Sequence, residues 1–224
     1  MPITCNNKPD VPLIEKINNF KKFIKCQSFL LLARPKDIVY ESDIAKKKFI
    51  TDLSLIVDKG LLMLEIPWVD NINWYDLMSD LKSKFPHLKI GSASLINKKS
   101  IDDSLKLDLN FSMMRFWDKH LYIYSKKNNY LLIPGMTSTK DFKEAISYNC
   151  CIIKIFPVAN KDIQLDINKF KQISFVGAGD IALNEINKFK SLGFLGVVVG
   201  RKGYDGERFD PEIFKILNSR MKNI

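Results

Sequence analysis

The residue whose type and position most clearly suggest chemistry is Lys154, which lies inside the apolar run 151–156. A short run rich in isoleucine that ends at a proline is typical of a buried strand in a parallel sheet. Because an ammonium group is costly to bury, two interpretations are open. Either Lys154 keeps its charge by snorkelling or by pairing with a buried carboxylate, or burial lowers its pKa and the free amine forms a Schiff base with a carbonyl.

Two other charged residues occupy comparable positions, Arg34 at the end of run 29–34 and Glu65 near the end of run 61–66. Strand alternation places each on one face of its strand, and if those faces point inward the three side chains converge as three buried charges. Lys154 would then form a Schiff base with a keto acid, Glu65 would move protons, and Arg34 would hold a carboxylate. The alternative is a structural Arg–Glu–Lys network in an inert protein.

The fold that would bring them together is indicated by short apolar runs that alternate with amphipathic segments from Gln27 onward. The predicted strands are 29–34, 61–66, 88–91, 111–114, 130–133, 151–156, 173–176 and 194–199. The predicted helices between and after them are 42–59, 74–84, 101–108, 118–127, 139–147, 166–171, 181–190 and one that begins at Pro211. Eight βα units without a linker predict an α/β fold of the (β/α)8 TIM-barrel type, whose sites lie at the C-terminal ends of the strands.

The N-terminal segment carries Ile14, Ile17, Phe20 and Ile24 at helical spacing, with lysines on its other face. This pattern predicts an additional helix that packs against one end of the barrel. We therefore expect an N-terminal helical extension over residues 1–26 and a barrel domain over residues 27–224.

The composition argues against several classes of protein. The formal net charge is +10, but the lysines are spread over predicted helix faces without interleaved aromatics, so nucleic-acid binding is not expected. No run approaches the ~18 apolar residues of a membrane span, and the N-terminus lacks a signal-peptide profile. We expect a soluble cytoplasmic protein that binds a small molecule.

The cysteine and histidine content limits the possible sites further. Cys5, Cys26, Cys150 and Cys151 show no metal-binding or redox spacing and are expected to be reduced and structural. The only histidines, His87 and His120, lie in polar surroundings. A histidine metal site or a Ser-His-Asp arrangement therefore has almost no residues available.

Five motifs along residues 27–204 resemble the class I 2-keto-3-deoxy-6-phosphogluconate (KDPG) aldolases, which also cleave 4-hydroxy-2-oxoglutarate (KHG). The motifs, in chain order, are Leu31-Leu32-Ala33-Arg34, Leu64-Glu65-Ile66, Gly91-Ser92-Ala93-Ser94, Ile133-Pro134-Gly135-Met136-Thr137 and Lys154-Ile155-Phe156-Pro157.

The resemblance implies a role for each matching residue. Lys154 would be the Schiff-base lysine and Glu65 the general acid and base. Arg34 and Ser94 would contact the substrate carboxylate or a bound water, and Thr137 and Phe156 would line the pocket. It also implies a homotrimer that uses no metal and no other cofactor.

The chain departs from the family pattern at four loops. Met114-Arg115 replaces a Ser-Pro pair after strand four, and Pro67-Trp68-Val69 stands where an arginine or threonine is often found. Ala178-Gly179-Asp180 replaces the phosphate-binding Thr-Gly-Gly, and Gly200-Arg201-Lys202 replaces a Gly-Gly-Ser type of loop.

The last two departures leave undecided how the protein binds the far end of the substrate. Gly179, Gly200 and Arg201 are the candidates for holding a phosphate. Asp180 would repel a phosphate, whereas Arg201 and Lys202 would attract one, so the site is either rebuilt with side-chain charge or solvated.

Three functions remain for these residues. The first is a Schiff-base aldolase that releases pyruvate and an aldehyde from a 2-keto-4-hydroxy acid. The second uses the same imine to decarboxylate a keto diacid such as oxaloacetate. The third is a catalytically silent barrel that binds an anionic metabolite.

Overall fold

The computed structural model describes residues 11–159 and 167–221, and a single sheet of parallel strands lies at its centre. In chain order the strands are β1 (Phe29–Leu32), β2 (Met63–Pro67), β3 (Lys89–Leu95), β4 (Phe111–Met114), β5 (Leu132–Ile133), β6 (Gly135–Met136), β7 (Ile152–Ile155), β8 (Ser174–Ala178) and β9 (Gly196–Val199). Within the described residues these strands pair in the order β5-β4-β3-β2-β1-β9-β8-β7-β6.

The two ends of this order are consecutive in the chain, because only Pro134 separates β5 from β6. A proline has no N–H to donate to a strand ladder, but the Pro134 carbonyl accepts from the Lys154 amide at 2.9 Å. The predicted fifth strand thus continues beyond residue 133 as two short segments. The sheet closes at this point, and the predicted (β/α)8 barrel is confirmed.

The helices lie between the strands and at both ends of the described chain. They are α1 (Val11–Gln27), α2 (Ile38–Glu41), α3 (Asp43–Val57), α4 (Ile72–Lys84), α5 (Lys98–Lys106), α6 (Lys119–Lys127), α7 (Thr139–Ser147), α8 (Ile186–Ser191) and α9 (Pro211–Met221). Helix α9 begins as predicted, and the Asp210 carboxylate accepts from the Glu212 amide at 2.7 Å. Gly60 and Gly193 end the preceding helices at φ values of 87° and 94°, a left-handed conformation that favours glycine.

The predicted helix 166–171 is wrong over its described part, where the chain forms only the 3-10 turn Ile167–Lys169. The amide of Phe170 donates to the Ile167 carbonyl, and the amide of Ile173 donates to the Phe170 carbonyl. These tight i→i+3 bonds lead directly into β8 and leave no length for a full helical turn. Asp166 lies outside the described residues.

Two apolar layers hold the barrel together. The larger one packs the helices on the outside of the sheet, and the smaller one fills the interior, where α1 closes the N-terminal end. Phe20 and Ile24 of α1 are buried there, and the Phe20 ring meets the Phe111 ring edge-on at 5.0 Å. Burying such side chains contributes about 1.5–3 kcal/mol each, so the N-terminal helix shares the barrel's core.

The interior layer also shows which strand residues face the barrel axis. Leu30, Met63 and Ile152 belong to the interior cluster, while their neighbours Leu31, Leu64 and Ile153 belong to the outer one. Alternation along each strand then directs Glu65 and Lys154 inward.

Among the described helices, none combines the length and the apolar character needed to cross a membrane.

Candidate active site

A cavity of about 820 Å³ opens at the C-terminal ends of the strands, the end of a barrel at which catalytic residues are expected. Eight of the nine predicted site residues line it: Arg34, Glu65, Ser94, Lys154, Phe156, Gly179, Gly200 and Arg201. The barrel therefore brings together residues from six different strands or the loops that follow them.

Lys154 lies on β7 with only 8% of its surface exposed. Its ammonium nitrogen Nζ donates to the Met114 carbonyl at 2.6 Å, and it is in none of the ion pairs among the described residues. Burial lowers the pKa of Lys154 to about 8, the charge of Glu65 opposes this shift, and the charge of Arg115 adds to it. A lysine in this setting is much closer to its nucleophilic neutral form than an exposed lysine.

Glu65 lies on β2 and is 2% exposed. Burial raises the pKa of Glu65 to about 7, while the positive charges of Lys154 and Arg34 oppose the shift. Its Oε2 atom is buried and has no hydrogen-bond partner among the described residues. A carboxyl group whose pKa is near neutrality, with an uncommitted oxygen, can both accept and donate a proton at physiological pH.

Ser94 reaches the cavity through a local irregularity of the sheet. The register between β3 and β4 shifts between Ser92 and Leu95, and Ser94 adopts a left-handed φ of 62°, a conformation that costs a non-glycine residue roughly 1 kcal/mol. Bulges of this kind commonly re-aim a side chain next to an active site. The irregularity places Ser94 in the cavity wall, to which Arg115 also contributes.

Two of the predicted site residues are placed differently from expectation. Arg34 was expected to be as buried as Glu65 and Lys154, but β1 ends at Leu32 and Arg34 lies exposed at the rim. Thr137 is absent from the described residues that line the cavity. Its hydroxyl and its amide donate to the Asp141 carboxylate at 3.0 and 3.2 Å, so this side chain stabilises the start of α7.

The far side of the cavity is formed by the loops after β8 and β9. Asp180 pairs with Lys202 at 3.3 Å, so the two charges whose effects on a phosphate were opposed largely cancel. The Ala182 amide donates to the Glu185 carboxylate at 3.0 Å, which uses a backbone donor that could otherwise bind an anion. Arg201, exposed and without an acidic partner among the described residues, remains as the available cation on this side.

Gly179 has a packing role in this wall. Its φ is 112°, and a Cβ at this position would lie 2.9 Å from the Cα and Cβ of Pro157. The loop after β8 can approach the loop after β7 this closely only because residue 179 is glycine.

Among the charged residues described in this cavity, Arg115 is the one to which the sequence did not assign a role. It follows β4 directly, is exposed, and lines the cavity beside Lys154. The signal was present, because an arginine at the C-terminal end of a barrel strand lies where substrates bind.

In the described part of the chain, no group of three or more histidine, cysteine, aspartate or glutamate residues is arranged to hold a metal ion.

Comparisons with known proteins identify a matching family and a shared fold. The family model described as KDPG and KHG aldolase matches residues 38–210, which is most of the chain. A search of curated protein sequences finds no match.

Three solved structures show the same fold. One is the KDPG aldolase from Legionella pneumophila with pyruvate captured at low pH as a covalent carbinolamine intermediate. Its TM-score is 0.72 at 16% identity, and the match covers 91% of this chain and 97% of that enzyme. The 2-keto-3-deoxy-6-phosphogluconate aldolase of Zymomonas mobilis ZM4 with 3-phosphoglycerate has a TM-score of 0.72 and 18% identity. The match covers 91% of this chain and 95% of that enzyme. The 2-keto-3-deoxy-6-phosphogluconate aldolase from Zymomonas mobilis ATCC 29191 has a TM-score of 0.70 and 15% identity. The match covers 89% of this chain and 94% of that enzyme.

Proposed function

Because this chain belongs to the KDPG and KHG aldolase family, whose members are lyases, we propose that it cleaves a 2-keto-4-hydroxy acid to pyruvate and an aldehyde through a Schiff base on Lys154. The observation that carries the proposal is the pair of buried groups in one cavity. Burial lowers the pKa of Lys154 and raises the pKa of Glu65, so each group is close to the protonation state that covalent and acid–base catalysis need.

The first stage forms the imine. The neutral amine of Lys154 attacks the C2 carbonyl of the keto acid and gives a carbinolamine, which loses water to become a protonated imine. Glu65 is the group placed to supply the proton that the departing oxygen takes with it. The covalent pyruvate carbinolamine captured in the Legionella pneumophila enzyme supports this stage by analogy.

The second stage breaks the C3–C4 bond. The Glu65 carboxylate takes the proton of the C4 hydroxyl, C4 becomes the aldehyde carbonyl, and the bonding electrons move into the protonated imine to give an enamine. The enamine then takes a proton at C3, and water hydrolyses the resulting imine. Pyruvate leaves and the Lys154 amine is restored, so no other cofactor is needed.

The substrate class follows from the charges around the cavity. Arg34, Arg115 and Arg201 surround a site that contains one buried carboxyl group, which favours substrates with anionic groups. KDPG and KHG both fit this description, since each has a C1 carboxylate and an anionic far end.

Product analysis tests the proposal against its two alternatives. With KHG or KDPG, aldol cleavage yields pyruvate and an aldehyde in equal amounts, whereas decarboxylation of oxaloacetate yields carbon dioxide and a silent barrel yields neither. Release of carbon dioxide from oxaloacetate without cleavage of either hydroxy acid would replace the aldolase by the decarboxylase.

The available cation on the far side leads to a prediction for Arg201→Ala. We expect this change to raise KM for KDPG by roughly 10-fold, the order of one lost charge-assisted hydrogen bond, and to raise KM for KHG less. Initial rates with both substrates measure the effect, and Arg208→Ala, which removes an exposed arginine outside the cavity, is the matched control. Equal increases for the two substrates would exclude Arg201 from a phosphate site.

For the assembly we propose the homotrimer that the family resemblance implies. Exposed apolar side chains follow the first four strands at the end of the barrel that carries the cavity: Ile44, Ile72, Ile96 and Phe116. Exposed apolar residues that share one end of a barrel are candidates for a protein–protein contact. Sedimentation equilibrium is expected to give a trimer mass, and a monomer mass at micromolar concentration would contradict the proposal.

A further inference from the structure

We infer that Arg115 is the specificity-determining residue that binds the C1 carboxylate of the keto acid, next to the carbonyl carbon that Lys154 attacks. This inference rests on the proposed function and deepens it. It assigns to a residue after β4 a contact for which the sequence suggested only Arg34 and Ser94.

The position of the Arg115 backbone is the first support. Lys154 Nζ donates to the carbonyl of Met114 at 2.6 Å, and Arg115 is the next residue in the chain. In an imine on Lys154, the C1 carboxylate carbon is only two bonds from Nζ. The carboxylate therefore has to lie near the peptide unit from which the Arg115 side chain extends.

This backbone is also held on both sides. The Arg115 amide donates to the Leu95 carbonyl on β3 at 3.3 Å. On the other side, a Cβ at Gly135 would lie 2.5 Å from the Arg115 carbonyl oxygen, so β6 packs directly against it. A side chain on a fixed backbone loses less freedom when it binds a ligand, which favours affinity.

The charges around Lys154 point to the same residue. Glu65 and Arg115 are the two charged side chains that act on the pKa of Lys154. The pKa of Arg34 is lowered first by partial burial and second by the charge of Arg115, so two guanidinium groups face the same space. Arg115 has no ion pair among the described residues, and an anion beside Lys154 would relieve this repulsion.

The chemistry of the ligand fits the residue. A guanidinium group binds a carboxylate through two parallel hydrogen bonds, which a lysine cannot do. Ser94 lies on the neighbouring strand and also lines the cavity, so it offers a hydroxyl as a further donor. Together these groups would select keto acids over ketones that lack the carboxylate.

The test compares pyruvate with methyl pyruvate, in which the carboxylate is esterified. Each is titrated in the presence of cyanoborohydride, and the ketone concentration that half-saturates adduct formation on Lys154 is measured by peptide mass spectrometry. Arg115→Ala is expected to raise this concentration for pyruvate by roughly 10- to 100-fold, the effect of one or two charge-assisted hydrogen bonds. The value for methyl pyruvate should hardly change, and Arg115→Lys should recover part of the loss.

A control variant shows whether the effect is particular to Arg115. Arg208→Ala, which removes an exposed arginine outside the cavity, should leave the pyruvate value unchanged. An Arg115→Ala variant that weakens both ketones equally would mean that Arg115 acts only on the reactivity of Lys154, and an unchanged pyruvate value would also overturn the inference. If the unaltered protein forms no adduct on Lys154 at all, the proposed function fails as well.

Discussion

Lys154→Met is expected to lower kcat/KM for KDPG and KHG by about 10⁴-fold or more, the order seen when a covalent nucleophile is removed. Methionine has a similar length and suits the apolar surroundings, but it cannot form an imine. The binding residues of the cavity are untouched, so the loss should appear in kcat far more than in KM. Initial rates of pyruvate release measure it directly.

The variant should remain folded, which makes the result interpretable. It loses the hydrogen bond to Met114, but it also removes an ammonium group from a buried position, and the second effect offsets the first. Its thermal midpoint is therefore expected to be close to that of the unaltered protein. Lys47→Met, at an exposed position on α3, is the matched control and should keep full activity. Turnover by Lys154→Met within tenfold of the unaltered protein would contradict the covalent mechanism.

Glu65→Gln is expected to lower kcat by about 10²- to 10⁴-fold, the contribution typical of a positioned general acid–base group. Glutamine matches the shape of glutamate but cannot exchange a proton with the C4 hydroxyl. Glu41→Gln, at an exposed position, is the matched control. An unchanged kcat would remove Glu65 from the chemistry.

Glu65→Gln is also expected to change the pH dependence of imine formation, which a purely structural role of Glu65 would not do. In the unaltered protein the rate of imine formation with pyruvate should rise with pH to a midpoint near 8, because burial lowers the pKa of Lys154 to about 8. The negative charge of Glu65 opposes that shift, so removing the charge should move the midpoint to lower pH. A midpoint that stays near the ordinary lysine value of about 10.4 in both proteins would contradict the account.

The sequence predicted the barrel because its strands and helices carry strong and regular signals. Lys154 and Glu65 could be chosen as candidate site residues for a similar reason, since a single charged residue within an apolar run is visible in the sequence alone. Arg34 shows the limit of this reasoning. Its run of apolar neighbours suggested burial, but β1 ends two residues earlier, and a strand end is set by pairing with β2 and β9 that the sequence does not display.

The remaining differences arise in loops, where distant residues decide the outcome. The Asp180–Lys202 pair joins two loops that are far apart in the chain. Thr137 lies beside a predicted strand, yet its hydroxyl donates to Asp141. The place of Arg115 at the end of strand four can be read from the sequence, but its closeness to Lys154 cannot, because the hydrogen bond between Lys154 and Met114 spans 40 positions of the chain. No pattern of spacing could have predicted these contacts.

The proposed mechanism depends on a Schiff base at Lys154, and borohydride reduction in the presence of pyruvate tests for it most directly. Peptide mass spectrometry would then locate any N-(1-carboxyethyl) group on a lysine. We predict one modified residue, Lys154, with no modification when borohydride or pyruvate is omitted and none at this position in Lys154→Met. A folded protein in which Lys154 stays unmodified while exposed lysines react at random would contradict the imine, and with it the aldolase mechanism proposed for this barrel.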